Sequence, residues 1–185
     1  MTGGKRFVLL DRDGTVNVER HYLSDPDEVE LLPNAACGLA EMARLGLGLA
    51  VVTNQSGLGR GYFDAERLEQ IHERLRMLLR EAAGVELDGI FCCPHLPEED
   101  CRCRKPRSGL IEQAAREFGF RPSEAFVIGD KACDIDLGRG VKATTLLVRT
   151  GYGAEHEAGG IAQADYVVDD LQHAARVIQG LLSRR

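Results

Sequence analysis

The sequence predicts an α/β fold: a doubly wound, mainly parallel sheet with helices on both faces. Short apolar runs alternate along the chain with segments of helical period, the pattern of strand–helix–strand units. Three of those runs end in polar turns, and a chain of 185 residues can bury one sizeable core. A single domain spanning 1–185 is therefore expected.

The first strand is Phe7-Val8-Leu9-Leu10, which runs into Asp11-Arg12-Asp13-Gly14-Thr15. Strand side chains alternate faces, so Asp11 and Asp13 project to the same side, and Gly14 permits a sharp turn beneath a ligand. One carboxylate can attack while the other moves protons. Ala35, Leu39, Met42 and Ala43 recur at helical spacing, with Asn34 as N-cap and Gly46 as stop. Leu49-Ala50-Val51-Val52 is the second strand and ends in Thr53-Asn54-Gln55-Ser56-Gly57, whose hydroxyl and amides suit phosphate oxygens.

A longer amphipathic helix starts at Asp64, with Leu68, Ile71, Leu75, Leu78 and Ala82 on one face and Gly84 closing it. Gly89-Ile90-Phe91-Cys92 is the third strand. After a cysteine-rich loop at about 92–105, Leu110, Ile111, Ala114 and Ala115 mark another helix. Ala125 to Ile128 forms a strand ending in Gly129-Asp130-Lys131, where Asp130, Asp134 and Asp136 supply acids suited to a hard cation. A short helix from Asp134 to Gly140, a strand Thr145 to Val148, a mobile turn at Gly151-Tyr152-Gly153, an edge strand within Ala164 to Val168 and a helix from Leu171 to Leu182 complete the chain. Ligands of open α/β sheets bind beyond the carboxyl ends of the strands, so the three polar turns should share one crevice.

The loop Cys93-Pro94-His95 followed by Cys101-Arg102-Cys103 offers three thiolates and one imidazole, a set that suits tetrahedral Zn²⁺. With no open coordination position this zinc would be structural, holding Arg104 and Lys105 at the site. Cys92 rivals Cys93 as a ligand, but the strand should turn it inward; Cys37 and Cys133 are expected only to pack. The net charge of −6 argues against broad binding to nucleic acid or anionic membrane. The basic run Arg102, Arg104, Lys105 and Arg107 reads either as a solvated face or as a local phosphate contact. No signal peptide is recognised, and no segment approaches the roughly 20 apolar residues needed to span a bilayer. The chain is expected in the cytosol, as a monomer. His21, His72, His156 and His173 have no partner assignable from sequence, and Tyr22 and Tyr62 read as pocket lining or simple packing.

Asp11-x-Asp13-Gly14-Thr15, Thr53, Lys105 and Gly129-Asp130 occur in the order found in the haloacid dehalogenase superfamily, which the chain resembles. The Thr53–Gly57 turn, Cys93-Pro94-His95, Cys101–Pro106 and Gly129-Asp130-Lys131 resemble more narrowly the heptose bisphosphate phosphatases and the related histidinol-phosphate phosphatases, over about Phe7 to Gly153. The intervals on either side of Thr53 are filled by predicted elements, leaving no room for a large cap domain.

The resemblance implies Asp11 as nucleophile, Asp13 as acid and base, Thr53 and Lys105 as phosphoryl ligands, and Mg²⁺ held by Asp11, the Asp13 backbone carbonyl and Asp130. Asp134 supports the metal or caps a helix. The resemblance further implies substrate contacts from Arg104 and from Glu19, Arg20, His21 and Tyr22. Asn54, Gln55, Ser56 and Lys131 join these as candidate substrate contacts. The substrate implied is a small phosphorylated sugar, a heptose 1,7-bisphosphate losing its C7 phosphate on the way to nucleotide-activated heptose. Histidinol phosphate is the enzymatic alternative, and a non-catalytic zinc-stabilised binding module is the alternative of another class.

Overall fold

The structure, a computed structural model, describes residues 4–160 and 162–184. The strands are β1 (Phe7–Leu10), β2 (Gly48–Asn54), β3 (Gly89–Cys93), β4 (Phe126–Gly129), β5 (Thr144–Val148) and β6 (Tyr166–Val168). All pair in parallel, in the order β3-β2-β1-β4-β5-β6. Between them run α1 (Ala35–Arg44), α2 (Ser56–Gly59), α3 (Ala65–Ala83), α4 (Gly109–Phe118), α5 (Ala132–Gly140) and α6 (Gly153–Ala158), and α7 (Leu171–Leu182) follows β6.

Both faces of the sheet are covered, which explains why the central strands read as unbroken apolar runs. Val8, Leu10, Val51 and Ile128 point to one side, where they meet Leu39 and Met42 of α1, Ile71 and Leu75 of α3, and Ile178 of α7. Phe7, Leu9, Ala50 and Val127 point to the other, against Leu110, Ile111 and Ala114 of α4 and Leu137 of α5. The chain moves outward from β1 through β2 to β3, then returns to add β4 on the other side of β1. That reversal opens a crevice at the carboxyl ends of β1 and β4.

Several local expectations need correction. Asn34 makes no side-chain cap; it is left-handed (φ 63°) and its amide donates to Asp170 Oδ2 at 2.7 Å, tying α1 to the start of α7. The edge strand is confined to Tyr166–Val168, and the expected turn at Gly151 and Tyr152 is present, with Gly153 already the first residue of α6. Cys37 is exposed rather than packed. The segment between β1 and α1 holds one short 3-10 turn (Pro26–Glu28) and two isolated bridges, with no cap domain.

Helices α1 and α7 cross at Gly38, where an added Cβ would come within 2.6 Å of the Gln172 backbone nitrogen and closer still to Leu171. G38A should therefore destabilise the fold by about 1–3 kcal/mol, an overpacking cost, measured by urea unfolding. Unchanged stability would show that the two helices separate freely at this crossing.

Candidate active site

Lys105 lies at the centre of the crevice although it comes from an irregular loop. Its buried ammonium donates to Asp11 Oδ1 at 2.6 Å and to the Val52 carbonyl at 2.9 Å, and lies 2.7 Å from Asp134 Oδ1. Burial alone would favour the neutral amine, but Asp11 and Asp134 outweigh it and hold the group protonated. Asn54, at the end of β2, fixes the loop from below: the Lys105 N–H donates to its Oδ1 at 3.0 Å, and its Nδ2 reaches the Lys105 carbonyl at 3.4 Å.

Asp13 sits in a cage of donors. Arg12 Nε and Nη2 approach its carboxylate at 2.9–3.2 Å, and Asn17 Nδ2 and Gln55 Nε2 each donate at 2.9 Å. Gln55 Nε2 also donates to Thr53 Oγ1 at 2.9 Å, and Gln55 Oε1 accepts from Arg12 Nη2 at 3.1 Å. Burial pushes Asp13 upward, but the Arg12 charge and these hydrogen bonds prevail and hold it below the usual carboxylate value. Arg12, 1 % exposed, is a buried neighbour of Asp13 and Gln55 that the sequence analysis does not single out. Its one signal was a cation where strand alternation called for a buried side chain.

Asp11, Asp130 and Asp134 bring carboxylate oxygens within 4.8 Å of one another. Asp130 is fully buried; its Oδ2 accepts from the Tyr152 N–H at 2.9 Å, while its Oδ1 has no hydrogen-bond partner. Burial and the neighbouring Asp11 push its pKa up to about 8. Three convergent carboxylates with one orphan oxygen fit a hard, oxygen-seeking cation. The packing beside Asp130 is close: Gly14 (φ 84°) and Gly151 (φ 55°) meet over its carboxylate, and a Cβ on either would strike it. Asp134 caps α5 as expected, its Oδ2 accepting from the Lys131 N–H at 3.1 Å, and its Oδ1 also faces Lys105. Asp136 is exposed and outside this cluster.

Above this floor opens a cavity of about 450 Å³ lined by Asp11, Asp13, Thr53, Asn54, Gln55, Ser56, Arg104 and Lys105, with Glu19, His21 and Tyr22 from the loop after β1. Lys131, Cys133, Tyr152 and His156 form another part of the wall, so Cys133 lines the crevice rather than only packing. Glu19 accepts from Lys131 at 2.8 Å and from the His21 N–H at 2.7 Å, drawing that loop across the crevice. Tyr22 stacks edge-on with Tyr62, ring centres 4.8 Å apart. Arg20 is not among the lining residues; it is exposed and ion-paired with Glu30 at 2.7 Å. His173 accepts from the Asp169 N–H at 3.3 Å on the far surface.

Beside the crevice, Cys93, His95, Cys101 and Cys103 gather one ligand atom each within 4.8 Å. Five of the six separations run from 3.1 Å for Cys103–Cys93 to 3.6 Å for Cys103–Cys101, and the sixth, His95–Cys101, is within 4.8 Å. Ligands around a tetrahedral zinc at about 2.3 Å stand roughly 3.8 Å apart, so the donor set fits a closed site after slight expansion. Cys93 is fully buried; Cys92 faces the opposite side, half-buried, and is the less buried of the two, contrary to expectation. The chain passes directly from Cys103 to Arg104, whose Nη1 donates to the His95 carbonyl at 3.2 Å, and then to Lys105.

Strand-end carboxylates, a buried lysine and a Gly-Asp turn at the switch point of this sheet define a HAD-type hydrolase, and the HAD-hydrolase-like family model matches residues 102–174. The D-glycero-beta-D-manno-heptose-1,7-bisphosphate 7-phosphatase of Pasteurella multocida (strain Pm70) is 37% identical over 97% of this chain and 100% of its own length. That of Haemophilus influenzae is 39% identical over 95% of this chain and 98% of its own. The crystal structure of D,D-heptose 1.7-bisphosphate phosphatase from B. bronchiseptica, complexed with magnesium and phosphate, superposes with a TM-score of 0.88 at 32% identity, covering 97% of this chain and 99% of that one. The chain belongs to the D-glycero-beta-D-manno-heptose-1,7-bisphosphate 7-phosphatase family.

Under this site lies His72 of α3, 4 % exposed, with Nε2 unpartnered and Nδ1 3.8 Å from Glu69. Burial, reinforced by the Arg12 charge, lowers its pKa from 6.5 to about 4. The unfolded chain thus binds a proton that the folded chain refuses between those values, and stability falls as pH drops from 6.5 toward 4. The loss attributable to His72 is on the order of 3 kcal/mol. Chemical unfolding across this range should show a shallower decline in H72Q; equal slopes in both proteins would mean His72 accepts its proton in the folded state.

Proposed function

We propose that this chain is a Mg²⁺-dependent phosphatase that removes the C7 phosphate of D-glycero-β-D-manno-heptose 1,7-bisphosphate through an aspartyl-phosphate. The observation that carries the reading is the division of labour between two strand-end carboxylates, Asp11 held by a lysine and Asp13 held by a cage of donors. The relatives' names supply the sugar and its anomer.

Lys105 ties one Asp11 oxygen, so the other oxygen is the nucleophile toward phosphorus. Thr53 Oγ1 and the Lys105 ammonium face the phosphoryl oxygens, where fixed donors stabilise developing charge. Asp13 donates a proton to the leaving sugar oxygen and later takes one from the water that cleaves the acyl phosphate. It rests as a carboxylate, and an approaching phosphate dianion raises its proton affinity by like-charge repulsion. Asp11, the Asp13 backbone carbonyl and Asp130 would hold the Mg²⁺, which supplies the positive charge that lets an anionic nucleophile meet an anionic phosphate. Cys93, His95, Cys101 and Cys103 would hold a structural Zn²⁺, fixing Arg104 at the entrance for the second phosphate or a sugar hydroxyl. Glu19, His21, Tyr22, Asn54, Gln55, Ser56 and Lys131 complete the substrate surroundings. One sheet with helices on both faces supports a single-domain enzyme, and the reading extends to a cytoplasmic monomer. No helix among the described residues is long and apolar enough to cross a membrane.

Phosphate release with Mg²⁺ from the β and α anomers and from histidinol phosphate tests the reading. The β-heptose bisphosphate should give the highest kcat/KM, and D11N should lose at least about a thousandfold; a preference for histidinol phosphate would reject the substrate assignment. Elemental analysis should find zinc in the purified protein and its loss from C103S, together with a lower Tm. Zinc-free protein with unchanged Tm and activity would reject the structural zinc.

A further inference from the structure

His156 has no place in the mechanism above, yet α6 sets it in the wall of the catalytic cavity beside Tyr152 and Lys131. Its Nδ1 lies 3.0 Å from the backbone nitrogen of Ala132 and accepts that hydrogen bond. Ala132 is the first residue of α5, so its N–H is one of the amides the helix cannot satisfy internally. An accepting Nδ1 carries no proton, and the ring's N–H then resides on Nε2. Nε2 has no hydrogen-bond partner among the described residues, and the half-buried ring is held at its other edge. Lys131, the neighbouring donor on this wall, is already engaged by Glu19.

The donors for the transferring phosphoryl group, Thr53 and Lys105, reach the crevice from the β2 side of β1. His156 follows β5 and reaches it from the β4 side. We infer that His156 is a specificity-determining residue, donating its Nε2–H to a hydroxyl or second-phosphate oxygen on the departing sugar. The sugar part of this inference rests on the phosphatase reading above; the orientation of the imidazole does not.

The test uses H156N and H156Q. Asparagine places an acceptor near the Nδ1 position and can keep the Ala132 bond, but nothing on it reaches the Nε2 position; glutamine returns a donor there. For the β-heptose bisphosphate, H156N should raise KM about tenfold with kcat changed less than about twofold, and H156Q should recover most of the loss. Hydrolysis of p-nitrophenyl phosphate, which lacks the sugar, should be unchanged in both. An unaltered sugar KM in H156N, or an equal loss on p-nitrophenyl phosphate, would overturn the inference. Nitrogen-15 NMR of the imidazole requires no substrate and separates this inference from the choice of sugar. An Nε2–H tautomer is expected, and an Nδ1–H tautomer would overturn the assignment even if heptose bisphosphate proves to be the substrate.

Discussion

The buried ammonium of Lys105 is the constraint on which the site depends. It joins the end of β1 through Asp11, the end of β2 through the Val52 carbonyl, and the start of α5 through Asp134. Removing it would leave carboxylates buried against one another, and unpaired charges in such a place cost several kcal/mol. A lysine with this task must arrive in one position, yet neither strand nor helix delivers it. The Asn54 side chain and the cysteine-histidine cluster take over the work of regular structure, pinning the loop on both sides of Arg104.

Around that cation two carboxylates are driven apart in proton affinity. Asp13, facing Arg12, Asn17 and Gln55, is held low; Asp130, buried next to Asp11 with one oxygen unpartnered, is pushed high. Environment rather than residue type thus separates these two carboxylates in proton affinity. The glycines at 14 and 151 belong to the same design, because only a residue without Cβ lets the two turns close over Asp130.

Strand ends were legible because both faces of the sheet are covered, which leaves apolar runs that stop where chemistry begins. Asp11, Asp13, Thr53, Lys105 and Asp130 could be read from those stops together with a family resemblance. Arg12 could not, since alternation assigns it to the opposite side, and only its long side chain bends it back to Asp13. His72 lies on the apolar face of a helix and reads as packing until Arg12 is known to lie near it. The start of α6 is Gly-rich and reads as a turn, so the placement of His156 was lost with it. Asn34 fits the cap pattern by composition, but its positive φ and its bond to Asp170 are tertiary facts.

The most direct test of the account is chemical trapping of the intermediate. Acid-quenched turnover of the heptose bisphosphate followed by borohydride reduction and peptide mass spectrometry should convert Asp11 to homoserine while leaving Asp13, Asp130 and Asp134 intact. Reduction at another carboxylate, or steady turnover with Asp11 unmodified under quench conditions that preserve acyl phosphates, would contradict a nucleophilic Asp11 held by Lys105.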